Sequence, residues 1–140
     1  MEMILKCLTV LVCLSLCLFL AGGGQYSYAA DVPGNVTLTL PRTPAHNEAV
    51  RVVVSVGILP PDAMIVVRTM DGEIAGSVSP FGVRRGQPAG VYMIPLPETA
   101  IKQGKVSLIL ELEQKDGGVV RAPTAQELLG VELVYIPITR

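Results

Sequence analysis

The side chains able to do chemistry thin out sharply along this chain. Its three cysteines, Cys7, Cys13 and Cys17, all fall in the first stretch, so the remainder carries no thiol nucleophile, disulfide or cysteine metal ligand. The single histidine is His46. A serine triad would have to combine it with Ser55, Ser77, Ser79 or Ser107, and none of these sits in a glycine-flanked nucleophile elbow. His46 lies in the turn-rich run 41–48 (PRTPAHNE), where it reads as a solvated loop residue. With Glu48 nearby it offers too few ligands for a dedicated zinc site, which wants three or four. Glu111 and Glu113 are the candidate carboxylate pair for glycoside hydrolysis. Their spacing of two puts both on the polar face of a strand, where a solvated sheet surface accounts for them. Asp71 and Asp116 each precede glycine and read as turn residues, and no glycine-rich phosphate loop opens a helix. The expectation is a protein that is not an enzyme and needs no metal or cofactor.

Binding chemistry is limited as well. The formal charge of -1 supplies no basic excess for a phosphate backbone, so no nucleic acid is expected as partner. Beyond the first stretch the aromatic residues are Phe81, Tyr92 and Tyr135, and the two tyrosines sit within strand-like runs. That is a poor platform for stacking on sugars or bases. What remains is the segment 80–90, PFGVRRGQPAG, the longest connection between strands. It joins an aromatic to two adjacent arginines, the residue types enriched at interaction hot spots. Two uses are open for it. In one, the segment is a solvated link and Phe81 plugs the end of the core. In the other, Pro60, Pro61, Phe81, Arg84 and Arg85 form a contiguous surface for another protein. If the strands run up and down in order, connections 59–62, 80–90 and 116–118 share one end, with the His46 loop and 97–104 at the other. A second route to a partner is the edge of a sheet, where the first or last strand could pair with another chain. A small-molecule or carbohydrate-binding module is the alternative function.

The elements that must position such a surface follow from period-two alternation. Residues 35–40 place Val36, Leu38 and Leu40 on one face. Residues 49–58 align Val50, Val52, Val54, Val56 and Ile58 opposite Arg51 and Ser55. Residues 105–113 set Val106, Leu108, Leu110 and Leu112 against Lys105, Ser107, Glu111 and Glu113. Asp71-Gly72 predicts a two-residue type I′ hairpin, with Thr69 opposite Ile74, Val67 opposite Gly76 and Ile65 opposite Val78. Residues 90–96 should turn Tyr92, Ile94 and Leu96 inward. Asp116-Gly117-Gly118 is a second turn. Thr124 and Glu127 fit a capping box that opens one helical turn through Leu129, ended by Gly130. Residues 131–136 form the last strand. The expected fold is all-β: an immunoglobulin- or fibronectin-like antiparallel β-sandwich of about seven strands with one short helical turn. A closed barrel is the alternative. The paired cysteines and buried tryptophan of antibody domains are missing, so the expectation concerns architecture and not family.

Residues 1–29 read as a secretory signal peptide, leaving 30–140 as a single domain. Lys6 and the amino terminus flank an uncharged, mostly apolar run from Cys7 to Leu20, Ala21 to Gly24 break it, and Ser27-Tyr28-Ala29 places small residues for cleavage before Ala30. An uncleaved anchor is the competing reading, and the only route by which the chain would meet a membrane. At about 17 residues, counting to Gly23, the stretch is short for a span. No cysteine follows the apolar run, so no lipidation site is expected. Export, with a domain free of cysteine, suggests a periplasmic or secreted location and favours a bacterial source over a disulfide-stapled eukaryotic one.

Overall fold

The computed structural model describes residues 29–32, 34–115 and 120–138. The leader lies outside the described residues except for Ala29, as does the turn expected at 116–118. Among the described residues nine strands run in chain order: β1 (Ala29–Val32), β2 (Asn35–Thr39), β3 (Glu48–Val56), β4 (Ala63–Thr69), β5 (Ile74–Val78), β6 (Gly90–Pro95), β7 (Ile101–Lys102), β8 (Lys105–Gln114) and β9 (Leu128–Pro137). A 3₁₀ turn at Glu98–Ala100 leads into β7.

These strands form two antiparallel sheets. The first has the order β1-β2-β8-β4-β5, with β7 beside the start of β8, and the second has the order β6-β3-β9. Among the described residues no strand pairs across from one sheet to the other, so the arrangement is an open two-sheet sandwich. The alternating runs dictate its core. Val52 and Val54 from the second sheet, and Ile65, Val67, Val106, Leu108 and Leu110 from the first, lose essentially all contact with water. Val36, Leu38 and Leu40 are buried in the same core, so β2 is held by its own domain. Tyr92, Ile94 and Leu96 turn inward as the alternation requires.

Four local expectations are corrected. Ile58 is half-exposed, because β3 ends at Val56 and Gly57 turns the chain out of the sheet. The β4–β5 hairpin keeps Val67 opposite Gly76 and Ile65 opposite Val78, but a bulge sets Arg68, and not Thr69, opposite Ile74. Gly72 has φ +87 and donates its N–H to the Thr69 carbonyl, while Asp71 stays out of the left-handed region. Only one residue then needs positive φ, and it is the glycine. The bulge also rotates Ile74 to the outside, where it is 60% exposed. Third, Glu127 accepts from the Thr124 N–H as one half of the box, yet the turn closes at once into β9, which begins at Leu128, so no helix continues to Leu129. Fourth, the strands outnumber the seven expected: β1 and the two-residue β7 give no alternation long enough to read.

Candidate functional site

One end of the sandwich collects three connections, and the β3–β4 link is their hub. Gly57 donates to the Glu127 carbonyl (2.9 Å) and accepts from the Ala89 N–H (2.9 Å), while Ile58 donates to the Gln126 carbonyl (3.2 Å). A side chain at Gly57 would run into the Gln126 carbonyl oxygen, which is why this crossing takes glycine. Lys115 donates to the Asp62 carbonyl and so draws the end of β8 to the same place (3.0 Å). Tyr92 donates its hydroxyl to the Ala89 carbonyl (2.8 Å), fixing the end of the long connection where it enters β6.

That long connection is built from two successive tight turns. The Val83 N–H donates to the Pro80 carbonyl and the Gln87 N–H to the Arg84 carbonyl. Glycine fills the third place of both turns, Gly82 at φ +82 and Gly86 at φ +79, as type II geometry demands. Phe81 and Arg85 therefore occupy equivalent corners. Pro80 opens the first turn and Pro88 follows the second, and the two turn bonds set the backbone at both corners.

The structure brings four of the five expected residues to one cleft. Pro60, Pro61, Arg84 and Arg85 line a cavity of about 270 Å³, together with Leu59, Asp62, Val83 and Gln87. Phe81 does not line it. Its side chain is 100% exposed, which overturns its use as a core plug. The reading from sequence missed two apolar neighbours at this end: Ile58 (49% exposed) and Leu129 (61% exposed), the latter packed close to Gly57. Ile58 was hidden by its place in a valine alternation, and Leu129 by the helical turn assigned to it. The F-G and R-G pairs were the available signal for the two corners. Arg84 and Arg85 are exposed and make no ion pair among the described residues, and Asp62 contributes a carboxylate to the rim.

The segment that leads into β9, whose Glu127 carbonyl accepts from Gly57, is braced by an ion pair between Arg121 and Glu127. The guanidinium donates to both carboxylate oxygens, at 2.7 and 2.6 Å, and the Thr124 N–H donates to one of them at 2.7 Å. Hydrogen bonding from Arg121 holds the Glu127 carboxyl down at about 2, against the opposing effect of its burial. Burying a carboxylate is tolerable only with such pairing.

The remaining candidates for chemistry are accounted for elsewhere. Arg68 donates to Glu111 (2.9 Å) and to Glu113 (2.9 Å), so the carboxylate pair is clamped by one guanidinium on the outer face of the first sheet. His46 is exposed at the opposite end. There Glu48 binds Arg42 in a bidentate pair, which lowers its carboxyl to about 2, and the Arg42 guanidinium lies 4.1 Å over the Tyr135 ring. Among the described residues no three histidine, cysteine or acidic side chains gather as metal ligands, and no helix is long and apolar enough to cross a membrane. No family model, curated protein or solved structure matches the chain.

Proposed function

We propose that the chain is a non-catalytic extracytoplasmic β-sandwich domain that binds another protein, as an accessory or structural subunit of an envelope or secreted assembly. The contact surface in this reading is the loop end formed by Pro60, Pro61, Phe81, Arg84 and Arg85. The observation that carries it is the fully exposed Phe81 near two arginines that make no ion pair among the described residues, on a braced turn. Covering a phenylalanine ring is worth about 2 kcal/mol. A partner that offers an apolar surface with adjacent carboxylates would take up both the ring and the guanidinium groups.

The immunoglobulin-like reading of the sandwich is part of this proposal. The β3–β6 and β4–β8 pairings correspond to the B–E and C–F pairs of that architecture, while the first and last long strands exchange sheets, β2 joining β8 and β9 joining β3. The extracytoplasmic location rests on the leader sequence. Intact mass of the exported protein checks it, with a new amino terminus at Ala30 expected.

A small-molecule or carbohydrate module is the second reading, favoured by the concavity of the cleft. At about 270 Å³ the cavity falls just below the roughly 300–1,000 Å³ of ligand pockets, and its aromatic neighbour stands off the lining. The discriminating experiment compares quantitative capture from the envelope fraction by the native protein and by the Arg84→Ala/Arg85→Ala double variant. Capture of a discrete partner should fall at least tenfold, about 1.4 kcal/mol. The thermal midpoint should stay essentially fixed, since exposed substitutions cost within about 0.5 kcal/mol. Undiminished capture would remove this surface as the site.

A further inference from the structure

The two sheets differ in what they turn outward. On the outer face of the first, polar groups satisfy one another: Arg68 holds Glu111 and Glu113, and the Thr37 hydroxyl lies 3.0 Å from that of Ser107. The outer face of the second is mainly apolar, and its rows follow from the pairing of β6, β3 and β9. One row sets Met93 beside Val53 and Glu132, and the next sets Pro95 beside Arg51 and Val134. Val91, Ser55 and Gly130 form the row on one side of these, and Ala49 with Ile136 the row on the other. Val91 is 69% exposed and Met93 48%. An antiparallel sheet with one solvated side is ordinarily polar there, and a contiguous apolar surface marks an interaction site.

The charges on this face say what covers it. Among the described residues they are Arg51 and Glu132, on neighbouring strands and one row apart. Neither takes part in an ion pair among the described residues, and the Arg51 Nε is buried without a hydrogen-bond partner. A lipid surface would bury both charges unpaired, which is costly. One cation and one anion side by side are instead what a two-fold axis can match.

We propose that a second copy of this chain packs here, outer face on outer face, about a two-fold axis lying between the two sheets. The axis runs across the strands, midway between the row of Val53 and the row of Arg51. Met93 then meets Pro95 of the other chain, Val53 meets Arg51, and Glu132 meets Val134. In the flanking rows Ser55 meets Ala49, and Gly130 leaves room for Ile136. Each Glu132 stands one strand spacing to the side of the other chain's Arg51. Across sheets about 10 Å apart, their backbones are about 11 Å apart, within the combined reach of the two side chains. Each dimer gains two such charge pairs, and the Arg51 stems lie on apolar surface.

Stacking of this kind leaves every described strand where it is. β1, β2, β4, β5, β7 and β8 all belong to the first sheet, on the far side of the second. Packed sheets also tolerate the angle of about 30° that their twist imposes. Three strands and four rows give a face of about 400 Å² per chain. The total of about 800 Å² is below the roughly 1,200 Å² of stable complexes, so the association is weak and concentration-dependent.

Sedimentation velocity over a dilution series of the purified protein tests this, together with isotope-filtered NMR on mixed labelled and unlabelled chains. The expected result is a reversible monomer–dimer equilibrium, with intermolecular contacts between the Met93 methyl group and Pro95. Met93→Lys and Glu132→Lys, each at an exposed position, should weaken association at least tenfold with the thermal midpoint unchanged. The second variant sets lysine against arginine, so the test survives if the first fails to fold. A chain that stays monomeric at millimolar concentration overturns the proposal. So does a dimer indifferent to both variants or lacking the Met93–Pro95 contact, or a monomer that binds phosphatidylglycerol vesicles through this face. The Arg84→Ala/Arg85→Ala variant should dimerise like the native protein, so the two surfaces succeed or fail separately.

Discussion

Gly57 and Glu127 show how few residues hold the loop end together. The Gln126 carbonyl oxygen occupies the space where a side chain at Gly57 would stand. Gly57→Ala should therefore cost about 1–3 kcal/mol in denaturant unfolding, as overpacking does, although the residue touches no candidate contact group. Glu127 adds an acid dependence. Its folded carboxyl sits at about 2, below the roughly 4.3 of an unfolded glutamate. The depressed value means that its stabilisation is complete above about pH 4.5 and is lost as the pH falls through the folded value. Glu127→Gln should lower stability at pH 7 by about 2 kcal/mol, the worth of hydrogen bonds to a charged group. The native protein should lose its advantage over that variant between about pH 4.5 and pH 2. Urea midpoints measured against pH check both statements. Of this, only the Thr124–Glu127 box was readable beforehand. Arg121 is too far along the chain from any strand signal to be assigned a partner, and steric crowding at a glycine exists only once two segments cross.

Strands were the readable elements wherever one face is fully buried. In β8 the alternation of Val106, Leu108, Leu110 and Leu112 predicts side, length and burial together, because a slip of one residue would expose all four. The same logic places β2 and β3. It fails at element ends, where backbone hydrogen bonding outweighs the side-chain pattern. Leu128 and Leu129 join β9 because the Glu127 and Gln126 carbonyls are already committed to Gly57 and Ile58. The β4–β5 turn is the sharpest case. A type I′ turn would place Asp71 at positive φ and reward Asp71→Gly, whereas the observed turn keeps the left-handed residue at Gly72 alone. Asp71→Gly should then destabilise by about 0.5–1 kcal/mol through the unfolded chain. Gly72→Ala should cost about 1–2 kcal/mol. Thermal midpoints of the two variants decide between the turn types.

Across the whole molecule, the core and the surfaces divide the work. The two inner faces carry the stability, and the candidate contact groups stand on connections and one outer sheet face. Pro60, Pro61, Arg84 and Arg85 could be grouped from sequence because alternating strands send every second connection to the same end. Their partner could not, since charge and composition are ordinary and an exposed ring looks the same in sequence as a buried one. Exposed arginines imply salt-sensitive capture: raising ionic strength from 0.15 M to 1 M shortens the screening length from about 8 Å to about 3 Å and should release the partner. The most direct measurement replaces Phe81 with a photo-crosslinking phenylalanine analogue in the exported protein and irradiates cells of its own source. The account predicts one discrete protein adduct that is absent when the same label stands at Ile74, far from the loop end. No adduct at Phe81, or the same adduct from both positions, would contradict it.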